Sequence, residues 1–599
     1  MNRKFLIYSL LIGWIAGLQF VTAQNLTLAK SYLKDGEYEK AYPIFMQWYQ
    51  KRNFRYDVYQ AILKIYFYKG DFNKARRFAT EAYDRYKNAV FLVDAYHASI
   101  RDGDSLSARK TLKQLDQLLQ TRRADFLPVA RKFKNYGYYN QALDILSRYV
   151  TLNPGIAYLD MAEIYAEQGQ LQPMMETFIQ AAESKPFYFR YVTANLSKYI
   201  TTNPANRYNR QLKTVLIRKI TNNPQPVYLK LLQWLYVREN NFKQAFIQAK
   251  GLYLRGKTGK NDLFYLAQEA FDNRNYLTAR QILDFLKQEA QNNQSETGER
   301  IKVLETRIER ELNRNNPQKL NELIPQWKKR ATTIQNLQLR QQINREIAET
   351  FLQLKQYPKA YQFLDSLIRT TSAGKYIARW KEMQGDILLL QKQFDRAAIQ
   401  FTLLKEENPY TETGYRAVYK TGLASFLEGD FDWAHRTLKT LKKAADRNIA
   451  NDALLLDFII ISNRKPGDTI QAGLKAFSKL YFEFFARNYR KLIRQADSLK
   501  SVFKNQKIYD DILYLQAVAA EKTAQYQLAV NYWNEILTYP TEKTLREEAL
   551  YHLGTIFADY LKDYSKARDY FKRILLDYPQ GFRHDQAAEY YEKLKTPEL

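Results

Sequence analysis

Apolar residues recur at three- and four-residue spacings along almost the whole chain, and the period-two alternation of a half-buried strand is nowhere sustained. The pattern therefore predicts helices throughout. It also repeats. A turn built on Gly, Asn or Gln followed by an aromatic residue comes first, and a small residue follows a few positions later. Gly36-Glu37-Tyr38 precedes Ala41, Phe45 and Trp48, and Gly70-Asp71-Phe72 precedes Ala75, Ala79 and Ala82. Gly103-Asp104 precedes Ala108, and Gly137-Tyr138-Tyr139 precedes Ala142 and Leu146. The turn glycine opens the left-handed backbone region, and prolines such as Pro154 and Pro186 bar helix continuation. After Gly169, Met174 takes the place of the small residue, which predicts a wider helix pair there.

The unit blurs between Pro186 and Pro226 and returns at Asn241-Phe242 with Ala245, and at Asn275-Tyr276 with Ala279. Gln288 to Glu299 is polar and reads as a loop. Later units start at Gln356-Tyr357, Phe394, Gly429-Asp430-Phe431, Tyr526 and Tyr564, with a degenerate one over Phe482 to Leu499. About twelve units follow from this reading, well above the three or so that a stack needs. The chain divides into a signal segment over 1–23, an array over 24–200, degenerate repeats over 201–290, a polar linker and helix over 291–330, a central array over 331–462 and a C-terminal array over 463–599.

The clearest unit is Ala549 to Pro579. Leu553, Gly554 and Phe557 share one helical face; Ala567, Phe571 and Ile574 mark a second helix that Pro579 ends. Gly554 and Ala567 allow two antiparallel helices to approach, and Phe571 fills the space beside them. This spacing resembles the tetratricopeptide repeat, with about one extra residue in the inter-helix turn. The resemblance implies an all-α, right-handed superhelical solenoid of antiparallel helix pairs, first helices lining the concave face, serving as a scaffold that binds other molecules. A stack of repeats needs no central core, so 599 residues do not imply several globular domains.

Composition sharpens the picture. Lys+Arg 92 against Asp+Glu 63 gives +29, a balance that attracts anionic surfaces or acidic partners. Cysteine is absent, which excludes disulfides and thiolate chemistry. Arg3 and Lys4 precede a mostly apolar run from Phe5 to Phe20, and Val21-Thr22-Ala23 has the look of a cleavage site before Gln24. Cleavage and retention as a membrane anchor are the two readings; the run is short of the ~20 residues a span requires, which favours cleavage. No Cys follows the junction, so a lipid anchor is not expected. The expectation is export to the periplasm or the periphery of the outer membrane.

Candidate chemistry is sparse. His97, His435, His552 and His584 have no second ligand at metal spacing, so neither metal nor cofactor is expected. Gly256-Lys257-Thr258-Gly259-Lys260-Asn261 fails as a phosphate loop on spacing and on its final Asn. No carboxylate pair stands out as acid and base. An enzyme is not predicted, and no nucleic-acid motif is visible.

The resemblance places certain first-helix positions in the concave groove. They are Leu26, Lys30, Leu33 and Lys34 in the first unit, and Gln60, Lys64, Phe67 and Tyr68 in the second. The third gives Val93, His97, Ile100 and Arg101, the fourth Leu127, Arg131, Lys134 and Asn135, and the fifth interrupts the basic run with Glu163 and Glu167. Two readings stand. The residues Lys30, Lys34, Lys64, Tyr68, His97, Arg101, Arg131 and Lys134 form a groove for an acidic or C-terminal peptide, or they are a solvated basic face. The Lys and Asn pairing of the chaperone-tail clamp is missing. The ending around Pro579 is similar to repeats of BamD-like outer-membrane biogenesis proteins and the Tol-Pal coordinator family, and the Ala-Gln junction resembles signal peptides common in Bacteroidetes. These likenesses imply a scaffold in envelope assembly, secretion or gliding. The alternative is an adaptor held at anionic lipid or lipopolysaccharide.

Overall fold

A computed structural model describes residues 26–50, 55–256, 259–289, 295–443, 447–464 and 471–595. The expected signal segment, residues 1–23, lies outside them, as do parts of the basic turn after Gly256 and of the loops near 290 and 465. Among the described residues every regular element is a helix. The chain forms two compact units, Met1–Asn293 and Gln294–Leu599. Within each, a helix packs on its neighbours in sequence and often on the next but one, as Val90–Arg101 does on Phe126–Asn135 and Ala472–Phe485 on Ile508–Lys522. That contact pattern is a stack of antiparallel helix pairs, the tetratricopeptide-like arrangement.

The turns explain the repeat. Thirteen have one residue in the left-handed region: Gly36, Gly70, Gly103, Gly137, Gly169, Asn240, Arg274, Lys355, Lys392, Gly429, Arg487, Ala524 and Lys562. In twelve of them the next backbone N–H donates to the carbonyl five residues back, as Asp71 does to Tyr66 at 3.0 Å and Gln525 to Ala520 at 2.9 Å, closing the first helix. In the thirteenth, Asp563 reaches six residues back, to Phe557, at 3.0 Å. The extra residue is absorbed by a π-helical turn, Ile556–Tyr560, at the end of the first helix.

Small residues set how closely the pairs pack. Ala41, Ala75, Ala142, Ala245, Ala279, Ala360, Ala397, Ala434, Ala529 and Ala567 are all fully buried. A β-carbon on Gly385 would lie 2.4 Å from Phe401, and one on Gly554 2.7 Å from Phe571. The wider pair expected at Met174 is not found: Pro154–Glu167 and Leu171–Ser184 are among the most closely packed helices. Met174 is fully buried in one apolar cluster with Ala162, Phe178 and Ile179, where its flexible side chain fits.

Two helices, Glu296–Leu312 and Pro317–Thr332, occupy most of the stretch read as polar linker and helix. Ser295 caps the first by accepting from the Gly298 amide, and Trp327 of the second is buried with its indole N–H donating to Glu309 at 2.7 Å. No described helix is long and apolar enough to cross a membrane.

Candidate ligand cavity in the first unit

The first helices 26–34, Tyr56–Lys69 and Val90–Arg101 together border a cavity of ≈ 580 Å³. Its apolar lining is Leu33, Phe45, Ala61, Leu63 and Phe67; its polar lining is Lys30, Asp57, Gln60, Lys64, His97 and Tyr136. Phe45 comes from the second helix Tyr38–Gln50 and is fully buried. Lys30 is paired with Asp57 at 2.8 Å. Lys64 is exposed and has no carboxylate partner among the described residues. The Gln60 amide nitrogen is buried without an acceptor.

Of the eight groove residues predicted, the structure therefore brings Lys30, Lys64 and His97 to one cavity. It places the other five elsewhere. Tyr68 packs at a 33° tilt against Tyr38 with ring centroids 4.0 Å apart, and both line a separate ≈ 340 Å³ hollow with Glu37, Glu39 and Lys40. Lys34 is exposed, and Arg101 lies over the Phe72 ring at 5.2 Å. Arg131 donates twice to Asp160, at 2.7 and 3.2 Å. Lys134 is held by Glu163 at 2.8 Å and Glu167 at 3.1 Å. The glutamates that interrupt the basic run are the partners of its last member, so Arg131 and Lys134 join two neighbouring repeats.

His97 is neutral over the ordinary pH range. Burial first, then the charges of Arg101 and Lys132, bring its pKa down to about 4. Its ring stacks on Tyr136 at 3.9 Å and its Nδ1 shares a 2.8 Å hydrogen bond with the Tyr138 hydroxyl. Behind Tyr136 lies a buried polar cluster that sequence reasoning missed. Asp94, 0% exposed, pairs with Lys132 at 2.9 Å and accepts from the hydroxyls of Tyr59, at 3.1 Å, and Tyr136. Burial pushes the Asp94 carboxyl up despite these partners, and burial with the nearby Asp94 charge pushes the Tyr136 hydroxyl up. The signal was in the sequence: one acid inside the apolar run Phe91-Leu92-Val93-Asp94-Ala95-Tyr96 needs a partner if buried.

The arrangement can hold an apolar side chain among Leu33, Leu63 and Phe67 and an acidic group at Lys64. It offers little chemistry: the histidine is neutral and hydrogen-bonded, and the carboxylates are paired. No group of three or more metal-ligating side chains occurs among the described residues. His435 pairs with the buried Asp457, and His552 sits between Glu521 at 2.9 Å and Glu548 at 3.7 Å, stacked on Trp533.

Compared with known proteins, residues 548–581 match the tetratricopeptide repeat family. No curated protein matches the sequence. Among solved structures, one of Naa15/Naa10 bound to HypK-THB is similar over 96% of each chain, at 11% identity and a TM-score of 0.25. One of the APC/C hetero-tetramer Cut9-Hcn1 is similar over 91% of this chain and 97% of that one, at 12% identity and a TM-score of 0.20. At those scores neither carries weight here. The repeat match and the helix-pair stack do.

Proposed function

We propose that the protein is a non-catalytic interaction scaffold and that the first-unit cavity receives an extended acidic segment of a protein partner. The carrying observation is the ≈ 580 Å³ cavity, which joins an apolar lining to a lysine, Lys64, that no described carboxylate satisfies. Burial of one apolar side chain supplies affinity, and the ammonium of Lys64 selects for acid beside it. The tetratricopeptide match supports the scaffold reading, since this repeat architecture builds extended binding surfaces from stacked helices. The site of action in this reading is the bacterial envelope, in outer-membrane assembly, secretion or gliding; the basic, apolar, small-residue order of the first 23 residues supports it.

Net charge of +29 favours a second reading, an adaptor held electrostatically at an anionic lipid or lipopolysaccharide surface. Salt and substitution separate the two. Crosslinking in native envelopes identifies the bound protein, and Lys64→Glu or Phe67→Ala should abolish its capture while raised salt should only weaken it. Capture that survives both substitutions and disappears in salt refutes the cavity reading in favour of surface adsorption.

A further inference from the structure

The second unit contains a gap in its row of first helices. Leu337–Gln353 and Gly374–Leu390 each pack on Tyr357–Thr370 but make no extended contact with each other. On either side of the gap ion pairs join the first helices. Arg310 bonds Glu346 and, at 2.7 Å, Glu349; beyond the gap, Lys420 bonds Glu382 at 2.9 Å and Asp386 at 2.7 Å. Across the gap itself no ion pair is formed among the described residues. A cavity of ≈ 260 Å³ lies there instead, lined by Gln338, Gln341, Gln342, Arg345, Tyr376, Arg379 and Trp380.

The lining has a surplus of donors. Trp380 is 1% exposed and its indole N–H has no acceptor. The Nε–H of Arg345 is also buried without one, its nearest recorded carboxylate oxygen, on Glu349, being 3.6 Å away. The Gln341 carbonyl already accepts from Asn344 at 3.0 Å. Arg379 is exposed and has no described carboxylate partner. The two nearby acids, Glu346 and Glu349, are shared among Arg307, Arg310 and Arg345, so cations exceed anions locally. Buried N–H groups without partners are rare in folded proteins, and the missing partner must be an acceptor.

We propose that this cavity binds a small carboxylate-bearing hydroxy acid of sugar-acid size. Trp380 and the two arginines meet the carboxylate. The amides of Gln338 and Gln342 both donate and accept, which suits hydroxyl groups, and the half-buried Tyr376 ring offers an apolar wall to the ligand's carbon face. The volume falls just under the roughly 300–1,000 Å³ of pockets for drug-sized ligands, so one ring fills it. The site is independent of the first-unit cavity and of the function proposed for it.

Calorimetric titration of the full chain with D-glucuronate, D-glucose and a capped peptide bearing a free C-terminal carboxylate tests the assignment. Glucuronate should bind and glucose should bind at least about tenfold more weakly, the worth of one hydrogen bond to a charged group. Trp380→Phe and the exposed Arg379→Gln should each weaken glucuronate about tenfold or more, and Lys64→Gln in the other unit should change nothing. Arg379→Gln keeps the test valid if the buried tryptophan variant fails to fold. Equal binding of glucuronate and glucose, no binding of either, or unchanged binding in folded Arg379→Gln overturns the proposal. A peptide that binds here more tightly than glucuronate overturns the small-molecule identity.

Discussion

Adding one methyl group at Gly251 and one at Gly385 is the same substitution inside two helices, and the structure gives it opposite signs. Gly251 lies in Phe242–Gly256 with nothing within 4 Å of where its β-carbon would stand. Only helix propensity changes there, so Gly251→Ala should stabilise by about 1 kcal/mol. Gly385 lies in Gly374–Leu390, and its β-carbon would meet Phe401 at 2.4, 2.5 and 3.0 Å. Carbon contacts settle near 3.5–4.0 Å, so the ring must retreat by about 1 Å. It has nowhere to go, because Phe401 is fully buried beside Ala397 and Leu404 in a core with few voids. Overpacking of this kind costs about 1–3 kcal/mol, and so deep an overlap belongs in the upper half of that range. Subtracting the propensity gain leaves a net loss of about 1–2 kcal/mol for Gly385→Ala. Repeat arrays open locally, so hydrogen exchange in peptides from Gly374–Leu390 and Phe394–Glu407 is the measurement to use, with the Gly251 helix as internal comparison. Phe401→Leu in the Gly385→Ala background should recover part of the loss. If both alanines slow exchange equally, the close crossing of these two helices is wrong.

Three further predictions test other parts of the structure. Ala524 is an exposed turn residue at φ 57, so Ala524→Gly should stabilise by about 0.5–1 kcal/mol, whereas Gly70→Ala, at φ 73 with open space around it, should destabilise by a similar amount; thermal unfolding of the pair checks both. Lys132→Met leaves Asp94 buried without its counter-ion and should cost about 3–5 kcal/mol, read as faster exchange in Val90–Arg101, and Asp94→Leu in the same chain should restore only part of it, because the Tyr59 and Tyr136 hydroxyls then lose their acceptor. Burial, reinforced by Asp510 and opposed by the 2.9 Å hydrogen bond from Asn463, pushes the Asp511 pKa up to about 8. The unfolded carboxyl ionises near 3.8 and so binds fewer protons than the folded one across that interval, which makes stability fall as pH rises through it. Asp511→Asn should remove that slope and raise the melting temperature at neutral pH; an unchanged profile rules the buried neutral carboxyl out.

The fold was legible because the repeat's requirements are local. A turn, usually with an aromatic beside it, and a small residue some positions on mark most units, and each has a steric cause. Even the irregular last unit announced itself, its extra residue emerging as the π-helical turn at Ile556–Tyr560. Seven of the thirteen turns place a residue other than glycine in the left-handed region; six of them were found from the aromatic that follows, and the seventh, at Arg487, lies in the stretch read as a degenerate unit. The candidate sites were less legible. Of the positions chosen within first helices, Lys30, Lys64 and His97 line one cavity, whereas Val93 is fully buried. Position alone also could not say which cations the chain itself neutralises.

That last question decides how the basic excess is to be read. Arg131 with Asp160, Lys134 with Glu163, Arg310 with Glu346 and Lys420 with Asp386 join residues 29 to 36 positions apart, one repeat to the next. These first-helix charges therefore register neighbouring repeats against each other, where partly buried pairs are worth more than exposed ones. A cation in such a chain signals a ligand only where the facing helix supplies no carboxylate. Lys64 in the first unit and Arg379 in the second meet that condition, and each stands at a cavity whose lining also holds a buried amide or indole N–H without an acceptor, on Gln60 and Trp380. Two unrelated observations, an unmatched charge and an unmatched donor, thus coincide at both places, whereas net charge alone would have pointed to the whole surface.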